Sequence, residues 1–326
     1  MSSARCAPPL LHGIAVVVVL CSAQAIAHAQ SAPPPPPLPS SPTPLPPTAA
    51  PLPPPPATDV PSHRLVWNED WPRFRPIGYL ATSASVLSAL AVTLFIEYPD
   101  NPRWDRGILF DNPVRTALVA RDPDLRDGIR IASDITLATT LVQVALVDGL
   151  LIPFADGSSD VAAELSLMNA QALSLNILIA TLLFKAVARQ RPLITDCRGS
   201  PGSDPLCETG SYASFPSSHT STAFTAAGLT CVHHEYLPIY GGDPFDTGAC
   251  LGALALATAT GLFRIIGDRH YATDVLAGAA IGLSIGYIYP WLLHYREGKP
   301  MHSVRNAESW GVMPSGPYGM SFSGTW

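Results

Sequence analysis

The residues best suited to chemistry in this sequence lie in three polar segments within an otherwise apolar stretch. The first reads KAVARQRP, from Lys185 to Pro192. The second reads PSSH, from Pro216 to His219, and the third reads RIIGDRHYATD, from Arg264 to Asp274. Each segment falls at the end of a predicted long helix. Because alternate helix ends of an antiparallel bundle meet on the same side, we expect the three segments to converge.

The basic residues and the predicted start of the fourth helix indicate an anion site. The planar guanidinium group of arginine matches phosphate oxygens in a bidentate fashion. Hydroxyl and backbone N–H groups at a helix N-terminus add donors that the helix dipole favours. Taken singly, such residues also suit helix capping and surface pairing. Together they predict a phosphate-like anion bound by Lys185, Arg191, Ser217, Ser218 and Arg264.

Two histidines in these segments predict nucleophilic and acid–base chemistry. His270 and Asp274 are four residues apart, so on a helix the carboxylate accepts a hydrogen bond from one imidazole nitrogen and leaves the other nucleophilic. His219 is then available to protonate the leaving oxygen and later to activate water. His270, His219 and Asp274 are therefore the predicted catalytic residues. No Cys/His cluster in the sequence has the spacing of a zinc site, so we assign no metal and no cofactor.

The elements that position these residues are predicted to be helices. Apolar stretches of helical or membrane-spanning length recur six times, and prolines and glycines separate them. No alternating run in the sequence is long enough to predict a sheet. The predicted fold class is all-α, a bundle of about six apolar helices. The stretches are 76–98, 132–154, 163–184, 218–233, 247–263 and 275–293.

We expect this bundle to be embedded in a membrane, with a very apolar periplasmic bundle as the alternative. The fourth stretch is too short to span, and several others carry acidic or amide side chains. A charge at bilayer depth is costly unless it is paired or lines a cavity. The polar side chains that need a partner or a cavity are Asp134, Asp148, Glu164, Asn169 and Asn176.

The N-terminal residues predict export. Residues 1–29 combine Arg5, a short apolar run and the small-residue triplet Ala27-His28-Ala29, as in a secretory signal peptide. An uncleaved anchor helix is the alternative. Residues 30–64 are dominated by proline and predict an extended linker. The helical domain is predicted at 65–300, with its motif segments within 185–274 and a C-terminal tail at 301–326.

Charge and cysteine content limit the partners and the compartment. The formal net charge is −6 and only 13% of residues are charged, so the chain lacks the basic surface of a nucleic-acid binder. Cysteines of exported proteins commonly form disulfides. We expect the catalytic end to face the periplasm and at least one of two pairs to be oxidised, either Cys197 with Cys207 or Cys231 with Cys250.

The order of the three segments resembles the type 2 phosphatidic acid phosphatase (PAP2) and vanadium haloperoxidase superfamily. The similar signatures are Lys…Arg-Pro, Pro-Ser-(Gly/Ser)-His and Arg-x5-His-x3-Asp, and the resemblance covers residues 165–290. It implies metal-independent hydrolysis of a phosphomonoester or diphosphate through a phosphohistidine. It further implies that His270 is the nucleophile, that His219 is the general acid and that Asp274 is the partner of His270. The expected substrate is a lipid phosphate of the phosphatidic acid or prenyl diphosphate type.

The chain departs from the family signatures at three positions. Ser218 stands where the family has glycine, and Phe263 stands where a serine usually precedes the arginine. Five residues rather than six separate Lys185 from Arg191, and one missing residue rotates the lysine by about 100° around a helix. The long lysine stem or Arg189 is expected to compensate. The alternatives are a phosphatase for small soluble phosphoesters, a vanadium-dependent haloperoxidase and a non-enzymatic lipid-binding scaffold.

Overall fold

A computed structural model of the chain describes residues 65–97, 99, 101–197 and 212–297, and the backbone of two short strands near the C-terminus. The predicted signal peptide and linker lie outside the described residues. The described part is nearly all helical, which confirms the predicted all-α class. Its strands, β1 (Gly311–Pro314) and β2 (Met320–Ser323), form an antiparallel hairpin in the predicted tail.

The six predicted long helices are all present in the described residues. The second begins earlier than predicted, because Asp122 caps it by accepting a hydrogen bond from the Leu125 N–H at 2.9 Å and Pro123 suits a first turn. The helices are α1 (Pro76–Phe95), α2 (Asp111–Leu118), α3 (Pro123–Leu141), α4 (Ile152–Ala155), α5 (Ser159–Val187), α6 (Ile194–Cys197), α7 (Ser218–Tyr236), α8 (Phe245–Ile266) and α9 (Ala272–Leu283).

Three π-helical segments extend these helices. Val142–Leu151 joins α3 to α4, so that the chain from Pro123 to Ala155 is one long helix. Ser284–Ile288 and Trp291–Tyr295 carry the chain on beyond α9. The connected segments therefore count as single long helices in the bundle.

Five helices among the described residues are long and apolar enough to cross a membrane, which supports the expected membrane association. They are Pro76–Phe95, Pro123–Ala155, Ser159–Val187, Phe245–Ile266 and Ala272–Tyr295. The remaining long helix, α7, which corresponds to the fourth predicted stretch, is instead buried along most of its length. It packs against α3, α5, α8 and α9, so it forms the centre of the bundle and carries the PSSH segment at its start.

A row of glycines lets α9 and its extension approach α7 closely. A Cβ added at Gly278 would lie 2.6 Å from the Ser217 carbonyl oxygen, and one added at Gly282 would lie 2.4 Å from the Ser221 carbonyl oxygen. These distances are too short for any side chain, so the two backbones are in direct contact. This contact fixes the start of α9 against the start of α7.

Replacing Gly282 with alanine is expected to lower the free energy of unfolding by about 1–3 kcal/mol, because the new methyl group forces the helices apart. Thermal unfolding in detergent measures the change. Gly252, on α8, is the matched control, since a Cβ there meets nothing within 4 Å. Gly252→Ala is expected to leave stability unchanged or to raise it by up to about 1 kcal/mol. Equal effects of the two variants would contradict the packing argument.

The polar side chains inside the apolar helices have partners. Asp148 accepts a hydrogen bond from the Tyr240 hydroxyl at 2.6 Å, and Glu164 accepts one from the Phe74 N–H at 2.8 Å. The Asn169 amide donates to the Val144 carbonyl at 2.9 Å. Paired groups of this kind are much less costly in an apolar environment than isolated ones. These residues are therefore compatible with membrane-spanning helices.

A disulfide between Cys231 and Cys250 joins α7 to α8 at the end of the bundle away from the PSSH segment. It confirms one of the two predicted pairs. Cys207 lies outside the described residues, so its pairing with Cys197 stays a prediction.

Candidate active site

Backbone and side-chain hydrogen bonds join the three polar segments at one end of the bundle. The Ser214 N–H donates to the Arg189 carbonyl at 3.0 Å, and the Ser217 N–H donates to the Asp274 carbonyl at 3.0 Å. The Arg189 guanidinium donates to the Asp274 carboxylate at 2.5 Å. The structure therefore brings together segments that are far apart in the sequence.

His270 lies in the turn between α8 and α9 and is 2% exposed. Its Nδ1 is 2.7 Å from the Ser214 carbonyl oxygen, and a carbonyl can only accept, so Nδ1 carries the proton. The other nitrogen, Nε2, is then the one with a lone pair. Within the described part of the chain, this buried Nε2 has no hydrogen-bond partner. It is thus available to a ligand.

Asp274 does not contact His270 in the way that the spacing predicts. Its Oδ2 lies 4.0 Å from His270 Nδ1; instead, Oδ2 accepts hydrogen bonds from the Ser214 hydroxyl at 2.7 Å and from the Tyr271 N–H at 2.8 Å. The reason is that α9 begins at Ala272, so His270 precedes the helix. Asp274 therefore fixes Ser214, and Ser214 fixes the imidazole.

Arg189 is fully buried and holds Asp274 from the other side. It donates to Asp111 Oδ2 at 2.7 Å as well as to Asp274, and its guanidinium lies between the rings of Trp104 and Tyr271, 3.8 and 4.1 Å from their centroids. Arg189 therefore neutralises the charge of both buried carboxylates, Asp111 and Asp274. The expectation that Arg189 takes over part of the role of Lys185 is therefore wrong.

Asp111 and Trp104 are residues of the candidate site that sequence reasoning missed. They belong to the connection between α1 and α3, outside all three polar segments. Asp111 also accepts hydrogen bonds from the N–H and the hydroxyl of Thr273, at 2.9 and 2.8 Å. The one local signal was an acidic residue at the start of a short helix, which is equally typical of a helix cap.

Two arginines give the site its positive charge. Burial, followed by the charges of Arg191 and Arg264, lowers the pKa of His270 well below its usual value. The imidazole is therefore neutral at neutral pH, as a nucleophile must be. Arg264 is 3% exposed, and its Nε has no partner among the described residues. Arg191 donates to the Ala213 carbonyl at 3.3 Å.

Lys185 lies in the last turn of α5, within electrostatic reach of Glu97. The helix ends two residues later at Val187, and Ala188 takes the left-handed conformation with φ 45°. Arg191 therefore lies beyond the end of the helix. For this reason the helical rotation expected from the missing residue does not apply to the pair.

Ser217 and Ser218, at the start of α7, have different hydrogen-bonding roles. Ser217 is fully buried and caps α7, and its hydroxyl oxygen accepts a hydrogen bond from the Thr220 hydroxyl at 2.9 Å. Ser218 is the first residue of α7, so its N–H has no acceptor within the helix. Such an N–H is suited to an anion. The phosphate-binding role of both serines stays a prediction.

His219 is in contact with a carboxylate from α3. Its Nε2 is 3.0 Å from Asp134 Oδ1, and the same oxygen is 3.5 Å from an Nη of Arg264. The sequence pointed to Asp134 only as a charge within an apolar helix. In the structure this charge belongs to the site.

Comparison with known proteins shows which family the segment that carries the site resembles. Residues 165–297 match the family model described as the PAP2 superfamily. Over 79 residues the chain is 40% identical to lipid A 1-phosphatase from Porphyromonas gingivalis, which is 24% of this chain and 16% of that protein. Over 126 residues it is 29% identical to a PA-phosphatase related-family protein from Dictyostelium discoideum, covering 36% of this chain and 45% of the relative. The chain thus spans less than half the length of either relative.

A solved structure is also similar. It is the crystal structure of the first transmembrane PAP2 type phosphatidylglycerolphosphate phosphatase from Bacillus subtilis, with a TM-score of 0.44 and 19% sequence identity, over 66% of this chain and 94% of that one. The family match spans all three polar segments and both histidines that converge in the structure. Residues 165–297 of this chain are therefore similar to the PAP2 superfamily.

Proposed function

We propose that the chain is a metal-independent phosphatase that hydrolyses a phosphomonoester or diphosphate of a lipid through a phosphohistidine. The observation that carries the proposal is the buried, unpartnered Nε2 of His270. Its proton is held on Nδ1 by the Ser214 carbonyl, and it lies beside two buried or partly buried arginines. A neutral, oriented imidazole in a cationic site is suited to attack on phosphorus.

In the proposed reaction, His270 Nε2 attacks phosphorus and the bond from phosphorus to the leaving oxygen breaks. His219 donates its proton to that oxygen, so the dephosphorylated lipid leaves as a neutral alcohol or as a lower phosphate. Water then attacks the phosphohistidine, its proton passes to His219, and inorganic phosphate is released. Arg191, Arg264 and the Ser218 N–H balance the charge on the phosphoryl oxygens.

A lipid substrate is supported by the five long apolar helices of the described residues and by the similarity to a protein named lipid A 1-phosphatase. We further propose that residues 1–29 direct export, that residues 30–64 link them to the catalytic domain at 65–300, and that the site faces the periplasm. The Cys231–Cys250 disulfide lies at the opposite end of the bundle, so it supports an oxidising compartment at that end and gives no support for the side that the site faces.

The test is phosphate release by the purified protein in EDTA. The substrates are phosphatidic acid, a prenyl diphosphate, lipid A and p-nitrophenyl phosphate, and Arg264→Ala is the inactive control. Activity on at least one lipid that survives the chelator and is lost in the control supports the proposal. Activity on the soluble ester alone contradicts the lipid assignment, and activity that EDTA abolishes contradicts the metal-independent mechanism.

Lys185→Ala is expected to lower kcat/KM less than Arg191→Ala. Arg191 lies close enough to depress the pKa of His270, whereas Lys185 lies in the last turn of α5 near Glu97. Loss of a charge-assisted contact to a transferring phosphoryl group costs about 10²–10³-fold. The measurement is kcat/KM for both variants on one substrate, and equal or reversed losses would refute the ranking.

A further inference from the structure

Asp134, like Asp111, is a carboxylate of the site that lies outside the segment matched by the family model. Asp134, on α3, precedes the matched segment 165–297. Its Oδ1 is 3.0 Å from Nε2 of His219, the proposed general acid. Asp134 is one-third exposed and His219 is 28% exposed, so this contact lies at the edge of the site that solvent and substrate reach.

The position of Asp134 is fixed by hydrogen bonds between α3 and α8 on either side of it. The Ser133 hydroxyl donates to the Thr260 carbonyl at 3.2 Å, and the hydroxyls of Thr136 and Thr260 are 2.7 Å apart. One turn earlier, the Arg130 side chain donates to the Gly267 carbonyl at 2.9 Å. The carboxylate is therefore presented by a rigid element, as precise positioning requires.

We infer that Asp134 is a positioning residue for His219, which it orients for proton transfer to the leaving oxygen. With Nε2 donating to the carboxylate, Nδ1 is the nitrogen that delivers the proton. This inference rests on the proposed function, because it gives His219 the role of general acid. It assigns each of the two histidines its own orienting oxygen, the Ser214 carbonyl for His270 and the Asp134 carboxylate for His219.

Burial and the neighbouring arginines together lower the pKa of His219 to about 4 before substrate binds, and Asp134 is the group that opposes this effect. Burial lowers the pKa of His219 and Arg264 lowers it further, while the hydrogen bond and the charge of Asp134 raise it; Arg191 also lowers it. A general acid must carry its proton when the substrate binds. Asp134 is thus the neighbour that favours the protonated form of His219 against two arginines.

The inference predicts a dependence on the leaving group. A p-nitrophenolate ion leaves without protonation, whereas an alkoxide from a lipid phosphate does not. Asp134→Asn keeps the shape of the side chain but removes its charge. It is expected to lower kcat/KM by about 10²-fold or more for a short-chain phosphatidic acid, and by less than about tenfold for p-nitrophenyl phosphate. The parameter kcat/KM is used because it reports the step in which the leaving group departs.

The experiment compares four variants with the wild type on both substrates. His219→Ala sets the pattern for loss of the acid, Asp134→Glu tests whether the charge restores activity, and Asp124→Asn, an exposed residue on the same helix, is the control. Support consists of a selective loss in Asp134→Asn that matches His219→Ala, with recovery in Asp134→Glu and no change in Asp124→Asn.

The contradicting outcomes separate the inference from the proposed function. If His219→Ala shows the selective loss but Asp134→Asn affects both substrates equally or neither, the inference falls and the proposed function stands. If the wild type is inactive on both substrates, both fall. If Asp134→Asn folds poorly in detergent, Asp134→Glu tests the inference instead. Its ratio of kcat/KM for phosphatidic acid to kcat/KM for p-nitrophenyl phosphate must then stay close to the wild-type ratio, and a lower ratio contradicts the inference.

Discussion

Replacement of His270 by alanine is expected to abolish phosphate release, with a loss in kcat of about 10⁴-fold or more. No other described nitrogen at the site is buried, neutral and oriented in the same way, since His219 Nε2 is already bound to Asp134. Without the His270 Nε2 the reaction has only the arginines and the helix N-terminus of α7 to stabilise the transition state. The measurement is phosphate release under saturating substrate. His302→Ala, in the predicted C-terminal tail, is the matched histidine control and should retain full activity.

The same variant tests the intermediate. A phosphorus–nitrogen bond survives alkali and breaks in acid, so substrate labelled on the phosphoryl group should leave alkali-stable, acid-labile label on the wild-type protein after rapid quenching. With p-nitrophenyl phosphate, whose leaving group needs no protonation, His219→Ala should still form the intermediate and retain more label, because it lacks the group that activates water. If His270→Ala is inactive but neither the wild type nor His219→Ala carries label, the covalent route is refuted and direct attack by water is favoured.

Replacement of Arg189 by methionine is expected to lower the free energy of unfolding by about 3–5 kcal/mol, because it leaves two buried carboxylates without their cation. Asp111 and Asp274 are both 0% exposed. Burial raises the pKa of Asp111, but hydrogen bonds from the Ile108 N–H, Arg189 and Thr273 outweigh it and lower the pKa. Thermal or denaturant unfolding in detergent measures the loss of stability. Activity should fall as well, since Asp274 would no longer hold Ser214.

A double variant makes this prediction specific. Adding Asp111→Asn to Arg189→Met removes one of the stranded charges, so it should recover part of the stability but none of the activity. Arg106→Met, which removes an 81% exposed side chain on the same connection, is the control and should change stability by no more than about 0.5 kcal/mol. If Arg189→Met is as stable as this control and loses only activity, Arg189 binds substrate and its structural role is refuted.

Much of the fold follows from local patterns in the sequence. The six apolar stretches with proline and glycine between them predict the six long helices, because burial and breakers act on neighbouring residues. The convergence of the three polar segments follows from the up-and-down order of an antiparallel bundle. The burial of α7 at the centre does not follow in the same way. It depends on glycines of the α9 segment that meet α7 backbone atoms more than fifty residues away.

The orientation of the site residues could not be predicted from spacing. The His270–Asp274 interval predicts a helical pair, but the start of α9 at Ala272 inserts Ser214 between them. The partners of Arg189 and His219 come from the connection before α3 and from α3 itself, at sequence separations of 78 and 85 residues. Local periodicity carries no information on such long-range pairs, and an aspartate in an apolar helix is equally compatible with a structural ion pair or a water-filled cavity.

These long-range pairs also define how much of the chain constitutes one catalytic unit. The similar signatures begin at Lys185, yet Asp111, one of the two carboxylates that hold Arg189, and Asp134, which contacts His219, precede them. A fragment made from the matched segment alone would carry both histidines, the signature arginines and Asp274, and it would lack these two counter-charges. Grafting this active site onto another helical scaffold therefore means transplanting the first third of the bundle together with the motifs.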